Sequence, residues 1–369
     1  MIAPTLSYLN DVYFGRGVLK ELSSLLSRYG MRNPLVITDP VIESLGFIEG
    51  AGLSGFPLFD RVKTNPSETS VTEALAVYGE SSCDGFVAIG GGSSIDLAKG
   101  VALLVNHPGP LARYAILEDG PVAIDKPVPH VIAVPTTAGS GSEVGRASLI
   151  TVADGRKLGF LSPKLMPIVA LCDPELTRTM PDTLSAATGL DAISHCVEAV
   201  LSPRVNPVAE SLALDGLRRG SRAITDVIGE AASDGGRDEM MWCSLLGGMA
   251  FQKGLGAVHS LSHPLGRLQE KQLHHGTLNG LFLPAVLEYN ASCSPVQMKQ
   301  LTGVLGVDPA VFFQDLLNKL DMPRRLSEMG VTDEDLVSSA PLAASDHCTA
   351  TNPRQLTEQD ALELYRSCF

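Results

Sequence analysis

The sequence predicts a protein with an α/β N-terminal half, built on a mostly parallel β-sheet, and an all-helical C-terminal half. Up to about residue 175, short β-rich apolar runs alternate with stretches of helical spacing, which is typical of a parallel sheet with helices on both faces. After Asp173-Pro174 the β pattern ends, and apolar residues recur at helical spacing to the end of the chain. A boundary near Met180-Pro181 therefore separates two predicted domains, 1–180 and 181–369.

Length and composition restrict the class of protein. The chain has 369 residues, 44% hydrophobic residues and 36 glycines, which suit a globular α/β protein with more than one core. A net charge of -13 argues against a nucleic-acid partner, because phosphate contacts need clustered lysine and arginine. No run of about 18 apolar residues occurs, so we expect no membrane partner. The seven cysteines form no Cys-x-x-Cys pair, which indicates reduced thiols and a cytoplasmic location.

Apolar runs in the N-terminal half predict its strands, and turn residues predict the connections. The runs occupy residues 34–39, 85–89, 130–134, 147–152, 158–161 and 168–171. Pro66-Ser67-Glu68 begins an amphipathic helix with Ser67 as its cap. Residues 107–129 are rich in proline, glycine and charge, and we expect a surface loop there.

Three consecutive glycines, Gly90, Gly91 and Gly92, follow the predicted strand 85–89 and lead through Ser93 into a helix. Backbone without side chains lets an anion approach, and the free N–H groups and dipole of a helix start favour its charge. An ordinary strand-to-helix turn is the alternative, but such a turn needs one glycine and not three. The sequence therefore predicts a phosphate-binding loop.

Asp39 lies at the end of the run 34–39, where a carboxylate can accept a hydrogen bond from a ribose 2′-hydroxyl and repel a 2′-phosphate. The alternative is that Asp39 caps the helix that begins at Pro40. The first interpretation favours NAD over NADP.

A second loop follows the predicted strand 130–134. Residues 135–144 interleave hydroxyl side chains with glycines and contain no charge until Glu143. Short hydroxyl donors suit a polyhydroxylated or phosphorylated ligand, and a solvated turn is the alternative. The hydroxyl residues of this run are Thr136, Thr137, Ser140 and Ser142.

The C-terminal half contains nine predicted helices and a candidate metal site. The helices cover residues 183–200, 206–229, 238–252, 257–268, 276–290, 295–304, 310–320, 333–344 and 356–367, and residues 231–238 are predicted to be a loop. Asp191 and His195 are four residues apart, as are His259 and His263, so each pair shares a helix face. With His275 they predict a divalent-metal site, because imidazole and carboxylate suit zinc or ferrous iron. A helix-surface pair is the alternative for either pair alone.

Five motifs in this order resemble the signatures of the iron-containing (group III) alcohol dehydrogenases, and the resemblance runs nearly from end to end. The motifs are Gly90-Gly-Gly-Ser-Ser-Ile-Asp-Leu-Ala-Lys99, Pro135-Thr-Thr-Ala-Gly-Ser-Gly-Ser-Glu143, Asp173-Pro-Glu-Leu176, Ala187-Thr-Gly-Leu-Asp-Ala-Ile-Ser-His195 and His259-Ser-Leu-Ser-His-Pro-Leu-Gly266. The resemblance implies a dehydroquinate synthase-like architecture, with an N-terminal nucleotide-binding domain and a helical metal-binding domain. It also implies NAD(P), for which the position of Asp39 favours NAD over NADP, and Fe²⁺, with Zn²⁺ as the alternative ion.

The resemblance implies roles for particular residues. Asp191, His195, His259 and His275 match the metal ligands, and His263 matches a histidine that lies beside the substrate and can carry a proton. The residues that match cofactor contacts are Asp39, Gly91, Gly92, Ser93, Thr136, Thr137, Ser140, Lys157 and Leu176. Members of the family are commonly dimers or higher homo-oligomers.

The substrate that the resemblance implies is a primary alcohol or its aldehyde. Residues 154–160, 258–266 and 273–279 are most similar to the branch that interconverts 4-hydroxybutyrate and succinate semialdehyde, and cousins act on phosphonoacetaldehyde. Arg146 and Lys253 stand where the family usually has small or neutral residues, so both are candidates for reading an anionic substrate. Pairing with cofactor phosphates or surface acids is the alternative.

Three other functions have to be weighed. A simple-alcohol dehydrogenase of the same family would not need the two cations. A dehydroquinate-synthase-like lyase would need many more basic residues to bind its phosphorylated sugar acid. A non-catalytic scaffold would have no reason to keep the four candidate metal ligands together.

Overall fold

The computed structural model describes residues 10–369, which divide into two compact units. The sheet unit contains residues 10–137 and 142–179, and the helical unit contains residues 138–141 and 180–369. None of the helices in the described range combines the length and apolar character that a bilayer crossing needs.

The sheet unit contains a six-stranded sheet, a separate pair of strands and six α-helices. Its strands are β1 (Asp11–Phe14), β2 (Leu35–Ile37), β3 (Leu58–Phe59), β4 (Phe86–Gly90), β5 (Val131–Pro135), β6 (Ala147–Thr151), β7 (Lys157–Leu161) and β8 (Val169–Cys172). Its helices are α1 (Leu22–Arg28), α2 (Pro40–Ser44), α3 (Phe47–Gly50), α4 (Glu68–Glu80), α5 (Gly92–Asn106) and α6 (Gly120–Ala123). The large sheet has the order β1-β8-β5-β4-β2-β3, and its strand pairings are parallel.

Both faces of the large sheet are buried, because neighbouring residues of a strand point to opposite sides. Leu35 and Phe86 belong to an apolar cluster that includes side chains of α4 and α5. Val36 and Val87 belong to a second cluster, with side chains of α1, α2 and α3. Helices on both faces explain why these strands read as continuous apolar runs. The predicted fold class of this half is confirmed.

The structure differs from the sequence predictions at several strands. β6 and β7 pair with each other in antiparallel register, Ala147 opposite Leu161, and do not join the parallel sheet. Apolar runs predicted both strands but cannot specify their partners. Neither β1 nor the two-residue β3 was predicted, because both are short and partly exposed. The predicted surface loop at 107–129 contains the short helix α6.

The helical unit contains nine α-helices within the described residues, as predicted. They are α7 (Asp182–Leu201), α8 (Pro207–Ala223), α9 (Asp234–Ala250), α10 (Ala257–Leu265), α11 (His275–Asn290), α12 (Pro295–Leu305), α13 (Pro309–Lys319), α14 (Asp333–Ala344) and α15 (Glu358–Ser367). α8 ends earlier than the predicted residue 229, and short 3-10 turns follow it. α9 begins four residues earlier than predicted, because the Ser233 side chain caps it by accepting from the Gly236 N–H.

α7 is the central helix of this unit, and its residues from Ser185 to Leu201 are all buried. It packs against α8, α9 and α11. The start of α11 approaches it so closely that a Cβ atom at Gly276 would lie 2.0 Å from the carbonyl oxygen of Ala187. The absence of a side chain at Gly276 therefore lets α11 begin directly against α7.

Candidate active site

The predicted phosphate loop lies at the carboxyl ends of three adjacent strands of the large sheet. Gly90 ends β4 and pairs in register with Pro135 at the end of β5, while β2 lies on the other side of β4. The carboxyl edge of a parallel sheet is where nucleotides bind in such folds. Asp39, the three glycines, Thr136 and Thr137 are therefore brought to one edge, as the sequence led us to expect.

The geometry of this edge suits an anion. No side chain among the described residues caps α5, whose N-cap is Gly91, so backbone N–H groups of its first turn face outward. Gly90 has φ 152°, and a Cβ atom there would lie 2.4 Å from the Ser94 hydroxyl. A Cβ atom at Gly91 would lie 3.4 Å from the Thr137 methyl group. The bend therefore requires glycine at Gly90, where φ is positive and space is absent.

Asp39 performs the role that the alternative interpretation gave it. Its Oδ1 accepts from the backbone N–H groups of Val41 and Ile42, both at 3.0 Å, and so caps α2. The second oxygen, Oδ2, points towards the glycine bend, 3.4 Å from where a Cβ atom of Gly90 would lie. Helix capping therefore uses one carboxylate oxygen and leaves the other directed at the candidate nucleotide site.

Three other predicted cofactor residues, Lys157, Leu176 and Ser140, are not at the strand ends that carry the glycine bend. The ammonium of Lys157, in β7, donates to Asn65 Oδ1 at 2.7 Å. Leu176 lies in a 3-10 turn after β8 and packs in the apolar cluster of α1, α2 and α3. Ser140 belongs to the short segment 138–141 that groups with the helical unit.

The glycine motif also contains a buried cation whose role the sequence analysis did not identify. Lys99 is fully buried, and its ammonium donates to Ser142 Oγ and to the carbonyl oxygens of Ser142, Gly145 and Ala147 at 2.6–2.9 Å. Burial lowers the pKa of Lys99 to about 8. Asp96 accepts from the same hydroxyl at 2.6 Å and from the Leu149 N–H at 3.1 Å. Asp96 and Lys99 of α5 therefore hold the loop that carries Arg146.

The candidate metal ligands converge within the helical unit. Oδ1 of Asp191 lies 3.8 Å from Nε2 of His195, of His259 and of His275. A tetrahedral ion with bonds of about 2.0–2.2 Å separates its ligand atoms by about 3.3–3.6 Å. Ligand atoms of Asp191, His195 and His259 lie within 4.8 Å of one another, and His275 joins them through its 3.8 Å distance to Asp191. The donor set of one carboxylate and three imidazoles fits the divalent ion that the sequence predicted.

Burial and charge keep this donor set ready for a cation. Burial lowers the pKa of His195 to about 4, so this imidazole is neutral at physiological pH. Burial also acts to lower the pKa of His259, but the negative charge of Glu198 outweighs it and raises that pKa. A cation would replace the proton that this charge favours, because a metal ligand must be deprotonated.

Two residues that the sequence analysis missed orient the ligands. Glu198, one turn after His195 on α7, has Oε2 2.5 Å from Nδ1 of His259, and its other oxygen accepts from the Val258 N–H at 2.7 Å. A carboxylate only accepts, so Nδ1 carries the proton and Nε2 keeps its lone pair for an ion. Asn279, four residues after His275, donates from Nδ2 to Asp191 at 2.7 Å. Glu198 is three residues after His195, and Asn279 is four residues after His275. These spacings put each residue on the same helix face as a candidate ligand, so the sequence could have indicated both.

His263 lies next to the donor set but makes a different contact. Its Nδ1 is 3.0 Å from Oδ2 of Asp346, and its ring stacks on that of His275 with centroids 5.4 Å apart. Burial acts to raise the pKa of Asp346, but the interaction with His263 outweighs it, so the pKa is lower than usual. Asp346 is therefore an ionised carboxylate that holds the imidazole of His263. The sequence analysis did not identify Asp346.

The two predicted anion-reading cations are engaged differently. Lys253 is buried, and its ammonium lies 3.2 Å from the Val200 carbonyl oxygen and 3.3 Å from Oε2 of Glu210. Lys253 therefore forms an ion pair with Glu210 inside the helical unit. Arg146 is half-buried at the start of the β6 and β7 pair, where its carbonyl oxygen accepts from the Ser162 N–H.

The α/β unit with its glycine bend and the buried Asp-His donor set are those of a metal-dependent dehydrogenase. Residues 10–174 match the family described as iron-containing alcohol dehydrogenase, and residues 185–369 match the C-terminal domain of the Fe-containing alcohol dehydrogenase family. The chain belongs to the iron-containing alcohol dehydrogenase family, and it is an oxidoreductase.

Individual relatives resemble the chain over nearly its whole length. It is 44% identical to the 4-hydroxybutyrate dehydrogenase of Cupriavidus necator, over 96% of each chain. It is 32% identical to a 1,3-propanediol dehydrogenase of Klebsiella pneumoniae, over 98% of this chain and 97% of that one. The crystal structure of a 1,3-propanediol oxidoreductase matches with a TM-score of 0.91 at 31% identity, covering 99% of this chain and 100% of that one. These matches confirm the fold and the family that the motifs indicated.

Proposed function

We propose that this protein is an NAD-linked, iron-dependent dehydrogenase that interconverts a short ω-hydroxy acid, such as 4-hydroxybutyrate, and its semialdehyde. One observation carries the proposal: Oδ1 of Asp191 lies 3.8 Å from the Nε2 atoms of three histidines. The chain that contains this group belongs to a family of alcohol dehydrogenases. The similarity to the 4-hydroxybutyrate dehydrogenase of Cupriavidus necator supports the substrate class. The domain assignment that follows is an NAD-binding domain over 1–180 and a metal-binding domain over 181–369.

The chain's own residues hold the metal and the cofactor in this proposal. The metal ligands are Asp191, His195, His259 and His275, and the cofactor residues are Asp39, Gly91, Gly92, Ser93, Thr136, Thr137, Ser140, Lys157 and Leu176. The ligand set has one negative charge, which leaves a divalent ion with a net positive charge. When bound, the ion supplies Lewis-acid polarisation of the substrate oxygen and NAD supplies a hydride acceptor.

His263 moves the proton in this scheme. Oxidation of an alcohol releases its hydroxyl proton as well as hydride, and an imidazole is the side chain that most often accepts such a proton. Asp346 accepts from Nδ1 and so fixes which ring nitrogen faces the reaction. Glu198 and Asn279 take no proton from the substrate, but they hold the metal ligands in the required tautomer and position.

The first experiment tests whether the enzyme prefers a negatively charged substrate to a neutral alcohol. We would measure kcat/KM with NAD and added Fe(II) for C2–C6 alcohols and for their ω-carboxylated counterparts, including a phosphonate analogue. We expect the C4 hydroxy acid to be preferred to the neutral alcohol of the same length. Equal kcat/KM for acid and alcohol would leave a simple-alcohol dehydrogenase, and preference for the phosphonate would leave the phosphonoacetaldehyde alternative. Absence of NADH formation with every alcohol would leave the lyase or the scaffold.

Lys253 is engaged with Glu210, so the half-buried Arg146 is our candidate for the residue that binds the substrate anion. We expect Arg146→Ala to raise KM for the hydroxy acid far more than for the neutral alcohol. Lys253→Met is the matched control, and it should lower stability while leaving the ratio of the two KM values unchanged. Equal losses on acid and alcohol in Arg146→Ala would remove the anion-reading role.

Location and assembly complete the proposal. The seven cysteines are all unpaired, which supports a reducing compartment such as the cytoplasm. We also propose a homodimer or higher homo-oligomer, which rests on the resemblance alone. Light scattering on the purified protein would distinguish an oligomer from a monomer.

A further inference from the structure

A second group of metal-binding side chains lies beside the candidate active site. Asp346, His347 and Cys348 are consecutive residues at the start of a 3-10 turn after α14, and they face His263 of α10. One ligand atom from each of the four residues lies within 4.8 Å of the others. We call this group the second donor cluster. None of the candidate metal ligands Asp191, His195, His259 and His275 belongs to it.

Short contacts join the side chains of the second donor cluster in pairs, through both carboxylate oxygens of Asp346 and both ring nitrogens of His347. Oδ2 of Asp346 lies 3.0 Å from Nδ1 of His263, and Oδ1 lies 3.6 Å from Nδ1 of His347. Nε2 of His347 lies 3.5 Å from Sγ of Cys348. Zinc bonds of about 2.0–2.3 Å separate the ligand atoms of a tetrahedral site by about 3.3–3.8 Å. One ligand atom from each residue lies within 4.8 Å of the others, so closing the cluster around an ion requires movements of about 1 Å.

We propose that the second donor cluster binds Zn²⁺, and that zinc bound there inhibits the enzyme by holding His263. Zinc binding does not depend on the proposed function. Inhibition does depend on it, because it requires His263 to carry the substrate proton. An ion at Nδ1 of His263 replaces the proton that Nδ1 donates to Asp346, and the neutral ring then carries its proton on Nε2. Nε2 therefore has no lone pair with which to accept the substrate proton.

The chemistry of the donors selects zinc over iron or magnesium. The cluster offers one thiol, two imidazoles and one carboxylate, and this mixture of sulfur and nitrogen ligands is typical of zinc. On binding, a bond forms between Cys348 Sγ and the ion, and the thiol proton leaves to solvent. No cysteine accompanies Asp191, His195 and His259 among the described residues, so sulfur distinguishes the two sites.

Charge and access also favour a cation at this position. Burial raises the pKa of the Cys348 thiol, and the negative charges of Asp346 and Glu198 raise it further. A divalent ion would compensate these negative charges. Oδ1 of Asp346 accepts from the Cys348 N–H at 2.8 Å, so the carboxylate and the thiol are held together before an ion arrives. The side chain of His347 is 27% exposed, compared with 10% for Asp346, so this ligand is in contact with solvent.

Cobalt distinguishes the two sites, because a bond between a thiolate and Co²⁺ gives a charge-transfer band in the near ultraviolet. We expect the full-length protein to bind two equivalents of Co²⁺ and to show this band. Asp191→Asn should lose one equivalent and keep the band, while Cys348→Ser should lose the band. Cys293→Ser, which changes an exposed cysteine, should leave the spectrum unchanged. A single equivalent without the band would overturn the proposal.

Inhibition is tested on the iron-loaded enzyme with added Zn²⁺. We expect His347→Asn to keep the basal activity and to raise the zinc concentration for half-inhibition by more than about 100-fold, since even groups outside the ligand shell change metal affinity 10- to 100-fold. Unchanged zinc sensitivity in this variant would overturn the inhibitory role, because zinc would then be acting at Asp191. A cobalt band without any dehydrogenase activity would sustain the zinc site and reject the proposed function.

Discussion

Replacing Glu198 with glutamine tests how the metal centre is held. The carboxylate accepts two hydrogen bonds, one from Nδ1 of His259 and one from the Val258 N–H. Glutamine keeps the shape but presents one oxygen and one NH₂ group. If its oxygen accepts from Val258, the NH₂ group faces Nδ1, and the proton of His259 moves to Nε2. If its oxygen accepts from His259, the buried Val258 N–H loses its partner.

Each arrangement of the glutamine has its own cost, in metal affinity or in folding stability. A proton on Nε2 removes a ligand lone pair, and loss of such an orienting carboxylate lowers metal affinity about 10- to 100-fold, or about 1.4–2.7 kcal/mol. A buried N–H without an acceptor costs about 1–3 kcal/mol of folding stability. We therefore expect Glu198→Gln to lose metal affinity, folding stability or both.

The assay is competition with a chelator for Fe(II) and Co(II), combined with denaturant unfolding of the metal-free protein. Glu210→Gln is the matched control, since it changes a carboxylate of the same unit that pairs with Lys253. We expect that control to leave metal affinity unchanged. Wild-type affinity together with wild-type stability in Glu198→Gln would refute the reasoning.

Three further substitutions test other parts of the structure. Gly276→Ala should push α11 away from α7, at a cost of about 1–3 kcal/mol, and weaken metal binding, whereas Gly303→Ala has open space and should not. Lys99→Met should lower the free energy of unfolding by about 3–5 kcal/mol, because several buried acceptors lose their cation, while the exposed Lys319→Met should stay within about 0.5 kcal/mol. Asp39→Asn should raise kcat/KM for NADP relative to NAD by about tenfold, without loss of stability, because asparagine caps a helix as well as aspartate does.

Each of these expectations has a contradicting result. Equal metal affinity in the two glycine variants would show that the close approach of the helices does not position the metal ligands. Wild-type denaturation of Lys99→Met would show that the buried ammonium contributes nothing to the loop it contacts. An unchanged ratio of NAD to NADP activity in Asp39→Asn would leave the carboxylate as a helix cap only.

The sequence by itself determined the division into two halves, most of the helices and strands, and the candidate metal-ligand side chains. Local periodicity separates the parallel-sheet half from the helical half, because strands and helices repeat at different intervals. Four-residue spacing placed His259 and His263 on one face of α10, and the consecutive glycines predicted the bend before α5. These are properties of neighbouring residues, so the chain order is enough to read them.

Only the tertiary structure decided which distant groups meet. Glu198 contacts His259 across 61 residues, Asn279 contacts Asp191 across 88, and Asp346 contacts His263 across 83. Helix packing sets these contacts, and packing depends on close approaches such as that at Gly276, which no local pattern encodes. The same reason explains why Lys253 proved to be the partner of Glu210.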